Sequence, residues 1–326
     1  MLSIKKGLIF IIKLCVAGLC FWFLLTSAQI KLGLCQYLFS QPVYLTIILV
    51  YFIGLIFLGA WRWYVLNQSQ TIGMNYRATL MAAYFAGAFN NVLPGSIGGD
   101  AIRFYYVFKH EPQKKARALI SLFSDRLLGF LAIFLIIFVM SLVRLSQLYT
   151  DPKIAYIMGS CSLFCVSLLG AFAVGLWVVK RTTLVDWIEA RYTKRWMIPL
   201  LSFLKTLRLF QMRKVDFIKC LLLSGAMQVV IASIVVLIAK LLHFPSLSFM
   251  DYLLVMAVTQ IINLIPLTPG GLGIGEVGFA HTLALLNPGL IMPYATVFFI
   301  YRMLSVVIFL PVLVWYGVAS PSLRWV

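Results

Sequence analysis

The chain has 326 residues, of which 63% are hydrophobic and only 11% charged, and its mean hydropathy is +1.00. This composition excludes an average soluble domain. The formal net charge of +18 is typical of basic cytoplasmic loops between membrane spans, so we expect no nucleic-acid partner.

Long apolar runs predict an all-α polytopic membrane protein with about six spans, because about 20 apolar residues cross a bilayer as a helix. A transmembrane barrel would instead show short alternating segments. The predicted spans cover residues 8–28, 43–66, 127–143, 154–179, 217–242 and 292–318. Lys5, Lys6 and Arg324 place both termini in the cytoplasm, and the first span is expected to stay uncleaved.

A strongly basic segment separates the fourth and fifth predicted spans. Residues 180–216 are rich in Lys and Arg, which predicts the main cytoplasmic loop. Earlier in the chain, Asp125 and Arg126 are expected to open the third span, near the membrane interface.

A glycine-rich break occurs twice, each time at the end of an apolar stretch. The first copy reads Asn91-Val-Leu-Pro94-Gly95-Ser-Ile-Gly98-Gly99-Asp100, and the second reads Asn263-Leu-Ile-Pro266-Leu-Thr-Pro269-Gly270-Gly271-Leu-Gly273-Ile-Gly275-Glu276. Pro and Gly interrupt helices. At membrane depth, broken backbone persists only where protein or a water-filled cavity satisfies its polar groups. Matching breaks in two halves of a membrane protein therefore indicate a transport site.

The breaks also predict two re-entrant hairpins. Residues 78–93 are short for a span and have basic residues on both sides, so a hairpin that enters and leaves on the cytoplasmic side fits the charges best. Residues 251–286 form the second hairpin, which should enter from outside. The chain is then one transmembrane domain, 1–326, with inverted halves at about 1–150 and 151–326.

Several ionisable residues fall inside or beside apolar segments, where a charge costs at least about 2.5 kcal/mol. Asp100 and Arg103 are three apart and could pair. Glu276 and Arg302 both lie deep within apolar segments and could also pair. Arg302 directly follows Tyr301. Such groups either serve function or form structural ion pairs that lock helices together; for Asp125 and Arg126 both interpretations stay open.

The breaks can also bind a ligand, since glycines leave backbone N–H groups exposed beside a helix start, and such nests bind phosphate. Neither break matches a nucleotide-binding fingerprint, which favours a phospholipid headgroup over a nucleotide. The six cysteines lie mostly in apolar runs without nearby metal-ligating residues. We therefore expect neither a metal nor a cofactor.

Four motifs together resemble the flippase-like family that includes the transmembrane domain of lysylphosphatidylglycerol synthase, also called the multiple peptide resistance factor. They are Pro94-Gly95-Ser-Ile-Gly98-Gly99-Asp100-x-x-Arg103, Asp125-Arg126-x-x-Gly129, Pro269-Gly270-Gly271-Leu-Gly273-x-x-Glu276 and Tyr301-Arg302. The resemblance implies movement of a lipid such as an aminoacylated phosphatidylglycerol between leaflets. Full synthases carry a soluble aminoacyltransferase domain after the membrane part, whereas this sequence ends at Val326, so a stand-alone form is expected.

The leading hypothesis is a lipid translocase of a bacterial inner membrane that is not an enzyme. Its expected partners are membrane lipids and a separate lipid-modifying enzyme. The alternatives are a translocase of a polyprenyl-phosphate-linked or other envelope lipid, and a non-transporting partner of envelope-lipid enzymes. The candidate headgroup ligands are Asn91, Pro94, Gly95, Gly98, Gly99, Asp100, Arg103, Asp125, Arg126, Asn263, Pro269, Gly270, Gly271, Gly273, Glu276, Tyr301 and Arg302.

Overall fold

The structure is a computed structural model. It describes residues 30–92, 97–143, 212–264, 271–287 and 292–312, with the isolated residues 22, 159, 160, 162–164, 166, 167, 170, 174, 268, 289 and 314. These residues form helices and connecting turns, without a strand among them.

Nine α-helices and one 3-10 turn account for the main described ranges. In chain order they are α1 (Leu32–Phe39), α2 (Pro42–Ser69), α3 (Tyr76–Val92), α4 (Ile97–His110), the 3-10 turn Pro112–Lys114, α5 (Lys115–Val143), α6 (Lys214–Leu241), α7 (Phe249–Ile262), α8 (Ile274–Leu286) and α9 (Ala295–Val307).

Local sequence signals explain where these helices begin and end. Pro42 is the first residue of α2, where a missing N–H costs nothing. The Ser248 side chain caps α7 by accepting a hydrogen bond from the Met250 N–H at 3.2 Å. Residues 308–309 form a turn just before Pro311, which cannot donate its backbone hydrogen bond to the preceding helical turn. Tyr84 donates a hydrogen bond to the Ile308 carbonyl there, at 2.9 Å.

Four helical segments are long and apolar enough to cross a membrane: Pro42–Ser69, Pro112–Val143, Lys214–Leu241 and Ala295–Val312. They correspond to the second, third, fifth and sixth predicted spans, which confirms a multi-pass helical membrane protein. Most residues of the first and fourth predicted spans and of the predicted basic loop lie outside the described residues. The predicted number of spans and the inverted repeat therefore stay predictions.

Two of the predicted boundaries were wrong. Asp125 and Arg126 do not open the third span, because α5 already begins at Lys115 and runs through them without interruption. No Pro or Gly separates Lys115 from Asp125, so nothing stops the helix there. Similarly, α6 begins at Lys214, three residues before the predicted span at 217.

The described residues group into two compact units. The first unit comprises those within Met1–Ala60, Leu80–Arg103 and Gly225–Val326. In it α7 packs along α8, and α8 packs against α9. Its core draws on residues from five helices: Ile48, Phe52, Ile234, Ile238, Val255, Phe279, Leu283, Phe298 and Leu304. This packing positions the second break beside α9.

The second unit comprises the described residues within Trp61–Thr79 and Phe104–Ser224. A polar cluster ties the turn after α2 to the 3-10 turn: Glu111 accepts from the Gly73 N–H and pairs with Lys114, which donates to the Thr71 carbonyl. Burial alone would raise the pKa of Glu111. The hydrogen bonds from Lys114 and Gly73 and the nearby charges of Lys114 and His110 outweigh it, so the pKa lies below its ordinary value.

Candidate functional site

The second break is built on two glycines with backbone conformations that other residues rarely adopt. The φ angles of Gly271 and Gly273 are +73° and +82°, in the left-handed region that a Cβ disfavours. They follow the end of α7 at Ile262 and precede α8, which begins at Ile274. The glycine motif thus lets the chain leave one helix and enter the next within a short connection.

Glu276 caps the N-terminus of α8 with a buried side chain. Its Oε2 accepts a hydrogen bond from the Gly273 N–H at 2.8 Å, as a carboxylate at the third helical position does in a capping box. The side chain is 0% exposed. A carboxylate in such surroundings needs a counter-charge, because desolvation strongly disfavours an isolated ion.

Arg302 of α9 supplies that counter-charge. Its Nε lies 3.5 Å from Glu276 Oε1, and its side chain is 12% exposed. The guanidinium also lies over the Phe298 ring, 5.2 Å from the ring centroid, a cation–π arrangement. The predicted pairing of Glu276 with Arg302 is therefore confirmed, while the proposed role of the pair in binding a ligand stays a prediction.

Glycines make room for this guanidinium. A Cβ added to Gly275 would lie 2.6 Å from Arg302 Nη2 and 2.7 Å from Asn263 Oδ1, closer than real Cβ contacts come. A Cβ on Gly271 would also collide with Asn263 Oδ1. Asn263 follows the last residue of α7, so the break brings together α7, α8 and α9 around one polar centre.

Four buried polar atoms in and beside this break have no hydrogen-bond partner among the described residues: Asn263 Oδ1, Thr268 Oγ1, Glu276 Oε1 and Arg302 Nη1. The 3.5 Å contact between Glu276 and Arg302 is an ion pair without hydrogen-bond geometry. An unmet buried donor or acceptor is costly. The centre therefore offers both a cationic donor and several acceptors to a polar ligand.

The first break contains a similar close approach. The Gly99 N–H, at the start of α4, donates to Asn90 Oδ1 of α3 at 2.9 Å. A Cβ on Gly99 would lie 2.5 Å from the Ala86 carbonyl oxygen and from the Asn90 amide. In both breaks, an asparagine at the end of one helix thus packs against glycine at the start of the next.

The remaining predicted residues of the first break are only partly described. Gly98, Asp100 and Arg103 are half-buried and lie in the first two turns of α4, where the Asp100 carboxylate suits the positive end of the helix dipole. The pairing of Asp100 with Arg103 stays a prediction. Asn91 lies in the last turn of α3. Pro94, Gly95, Pro269 and Gly270 lie outside the described residues.

Asp125 has a protein partner that the sequence did not reveal. Arg62 Nε of α2 donates to Asp125 Oδ1 of α5 at 2.8 Å, and Arg62 Nη1 donates to Ser224 Oγ of α6 at 2.8 Å. Both charged side chains are nearly buried. This network gives Asp125 the features of a structural ion pair; its role as a lipid ligand, like that of the half-buried Arg126, stays a prediction.

Sequence reasoning missed several residues that shape these sites. Arg62 belongs to none of the motifs, although its position inside a long apolar run signals a buried partner. Phe298 precedes Arg302 by one helical turn, a spacing that places an aromatic ring under the cation. Asn90 adjoins Asn91, and only the structure shows that its amide reaches the next helix.

Comparison with known families agrees with the motifs. The model of one family, described as the lysylphosphatidylglycerol synthase TM region, matches residues 10–311. The chain belongs to this family. A search of curated proteins found no match. The match covers nearly the whole chain. Membership of the lysylphosphatidylglycerol synthase TM family suggests a membrane protein of envelope lipid metabolism or transport.

Proposed function

We propose that this protein is a lipid translocase that moves a phospholipid, such as an aminoacylated phosphatidylglycerol, between the leaflets of a bacterial inner membrane. The single observation that carries the proposal is the buried Glu276–Arg302 pair at the second break, with buried polar atoms that have no partner among the described residues. The proposal involves no chemical step.

The charge arrangement supports a headgroup site. Among the described residues, Arg302 Nη1 is a buried donor without a hydrogen-bond partner, which suits a phosphate oxygen. Glu276 Oε1 and Asn263 Oδ1 retain acceptor capacity, which suits the ammonium or hydroxyl groups of a headgroup. In this account the headgroup passes through the polar centre while the acyl tails stay in the membrane.

The two breaks support a route for the lipid headgroup that is lined by residues of both halves of the chain. We propose that they are re-entrant, that they enter from opposite sides, and that Arg103 attracts the phosphate together with Arg302. Asp100 would then share with Glu276 the cationic part of the headgroup. The matching Asn-x-x-Pro and Pro-Gly sequences of the two breaks support an origin as a repeat, although the asparagine that packs on glycine in the first break is Asn90 and not Asn91, which aligns with Asn263.

A leaflet-exchange assay in proteoliposomes tests the proposal. It compares lysyl-phosphatidylglycerol, phosphatidylglycerol and undecaprenyl phosphate for the wild type and for Glu276→Gln/Arg302→Gln. If the wild type exchanges one of these lipids and the double variant does not, the result supports a translocase and identifies the substrate class. Exchange of undecaprenyl phosphate alone favours the polyprenyl-phosphate alternative.

The control is Glu111→Gln/Lys114→Gln, which removes another Glu–basic pair well outside the site and should leave exchange intact. No exchange above empty liposomes for any lipid would contradict the proposal and favour a non-transporting partner of envelope-lipid enzymes. Equal exchange of all three lipids, unchanged in the double variant, would contradict the assigned site.

A further inference from the structure

The polar centre at the second break contains one formal anion and one formal cation. Arg302 is the charged group that acts on Glu276 among the described residues. Besides Arg302, α9 contributes the Tyr301 phenol, and α7 contributes the uncharged Asn263 amide. Among the described residues, no other Lys, Arg, Asp or Glu acts on either group, so the Glu276 carboxylate and the Arg302 guanidinium neutralise each other.

The other titratable groups on the packed helices lie away from this centre. His281 of α8 is exposed, and Asp251 and Tyr252 lie in the first turn of α7, at the opposite end from Asn263. None of these groups is among those that act electrostatically on Glu276.

An anionic ligand competes with Glu276 for Arg302. Glu276 Oε1 lies 3.5 Å from Arg302 Nε, while Nη1 is the donor left for a ligand. A bound phosphate would place two negative groups on one guanidinium in a buried site, which disfavours one of the two charges. Loss of a phosphodiester charge is chemically inaccessible near neutral pH, so the carboxylate is the group that must change.

Resting on the proposed function, we infer that binding at Arg302 of an anionic headgroup that has no ammonium group to pair with Glu276 is coupled to uptake of a proton by Glu276. The proton comes from water on the side from which the lipid enters and binds Oε1, the carboxylate oxygen that accepts no hydrogen bond from the described residues. Oε2 keeps accepting from the Gly273 N–H, so α8 stays capped. Before binding, the site holds Arg302 and a carboxylate; afterwards it holds Arg302, a phosphate and a neutral carboxylic acid.

Calorimetry with a short-chain phosphatidylglycerol tests this coupling without any transport. The purified full chain in detergent is titrated in buffers with different ionisation enthalpies, which report the protons bound per ligand. The expected uptake is about one proton, and the affinity should fall about tenfold per pH unit wherever Glu276 is ionised before binding.

The decisive variant is Glu276→Gln, whose amide oxygen can still cap the Gly273 N–H but cannot ionise. It should bind the lipid without proton uptake, with an affinity independent of pH and higher than that of the wild type at alkaline pH. Arg302→Gln should lose binding. Glu111→Gln removes a carboxylate elsewhere and should keep the uptake of the wild type.

The outcomes separate this inference from the proposed function. Binding of the lipid without proton uptake, or uptake that persists in Glu276→Gln, overturns the coupling alone, and lipid exchange would remain intact. Failure of the wild type both to bind the lipid and to exchange it overturns the proposed function and the coupling with it.

Discussion

Gly275 shows how a single missing side chain shapes the site. Its Cα faces the Arg302 guanidinium, the Asn263 amide and the Phe298 ring, and a Cβ would approach all three to within 2.8 Å. The guanidinium occupies the volume that any larger residue would need. The glycines of this break thus have two separate uses, because Gly271 and Gly273 provide unusual backbone angles and Gly275 provides space.

We predict that Gly275→Ala destabilises the protein by about 1–3 kcal/mol, as added methyl groups in tightly packed sites do. The unfolding midpoint of the purified protein should fall, and lipid exchange should fall with it because Arg302 is displaced. The matched control is Gly225→Ala in α6, whose added Cβ would meet nothing within 4 Å. This control should be neutral or slightly stabilising, by up to about 1 kcal/mol. Equal midpoints for the two variants would contradict the assigned packing.

At the scale of elements, one arginine side chain connects three helices in the second unit by hydrogen bonds. Arg62 of α2 contacts Asp125 of α5 and Ser224 of α6, and the Ser224 hydroxyl also donates to the Cys220 carbonyl at 2.8 Å. Removing one partner of a buried pair leaves an uncompensated charge, which is far more costly than losing an exposed pair.

We predict that Asp125→Asn costs about 3–5 kcal/mol of stability. A double-mutant cycle with Arg62→Met should show that the double variant is less destabilised than the sum of the single ones. The same cycle at Glu111 and Lys114, a more exposed pair, should give a coupling of at most about 1 kcal/mol. Equal coupling energies in the two cycles would contradict a structural role for Arg62 and Asp125.

At the scale of the whole molecule, the predicted topology places the two breaks on opposite sides of the membrane. Ala101 follows the first break, and Leu264 lies two residues after the end of α7 at Ile262. Both side chains are exposed and suit labelling. In a cysteine-free background, we predict that Ala101→Cys reacts with a membrane-impermeant reagent from the cytoplasmic side and Leu264→Cys from outside. Reaction of both from the same side would contradict the inverted repeat.

Much of this architecture follows from the sequence, because apolar length and charge asymmetry determine helical spans. The pairing of Glu276 with Arg302 was also predictable, since two deep opposite charges need each other. The pairing of Arg62 with Asp125 was not, because helices distant in sequence meet only after packing. The start of α5 was misplaced for a related reason: the charges of Asp125 and Arg126 indicated an interface, whereas Arg62 neutralises Asp125 inside the helical packing.

The central claim is that Arg302 binds the lipid phosphate during translocation. The most direct test is the rate of exchange of the preferred lipid in proteoliposomes with equal amounts of folded wild type, Arg302→Lys and Arg302→Gln. Lysine keeps the charge but not the forked geometry, so its rate should be intermediate. Glutamine should lose most of the exchange, by at least about tenfold, because a charged hydrogen bond contributes about 1.5–3 kcal/mol. Exchange by Arg302→Gln at the rate of the wild type would contradict the account.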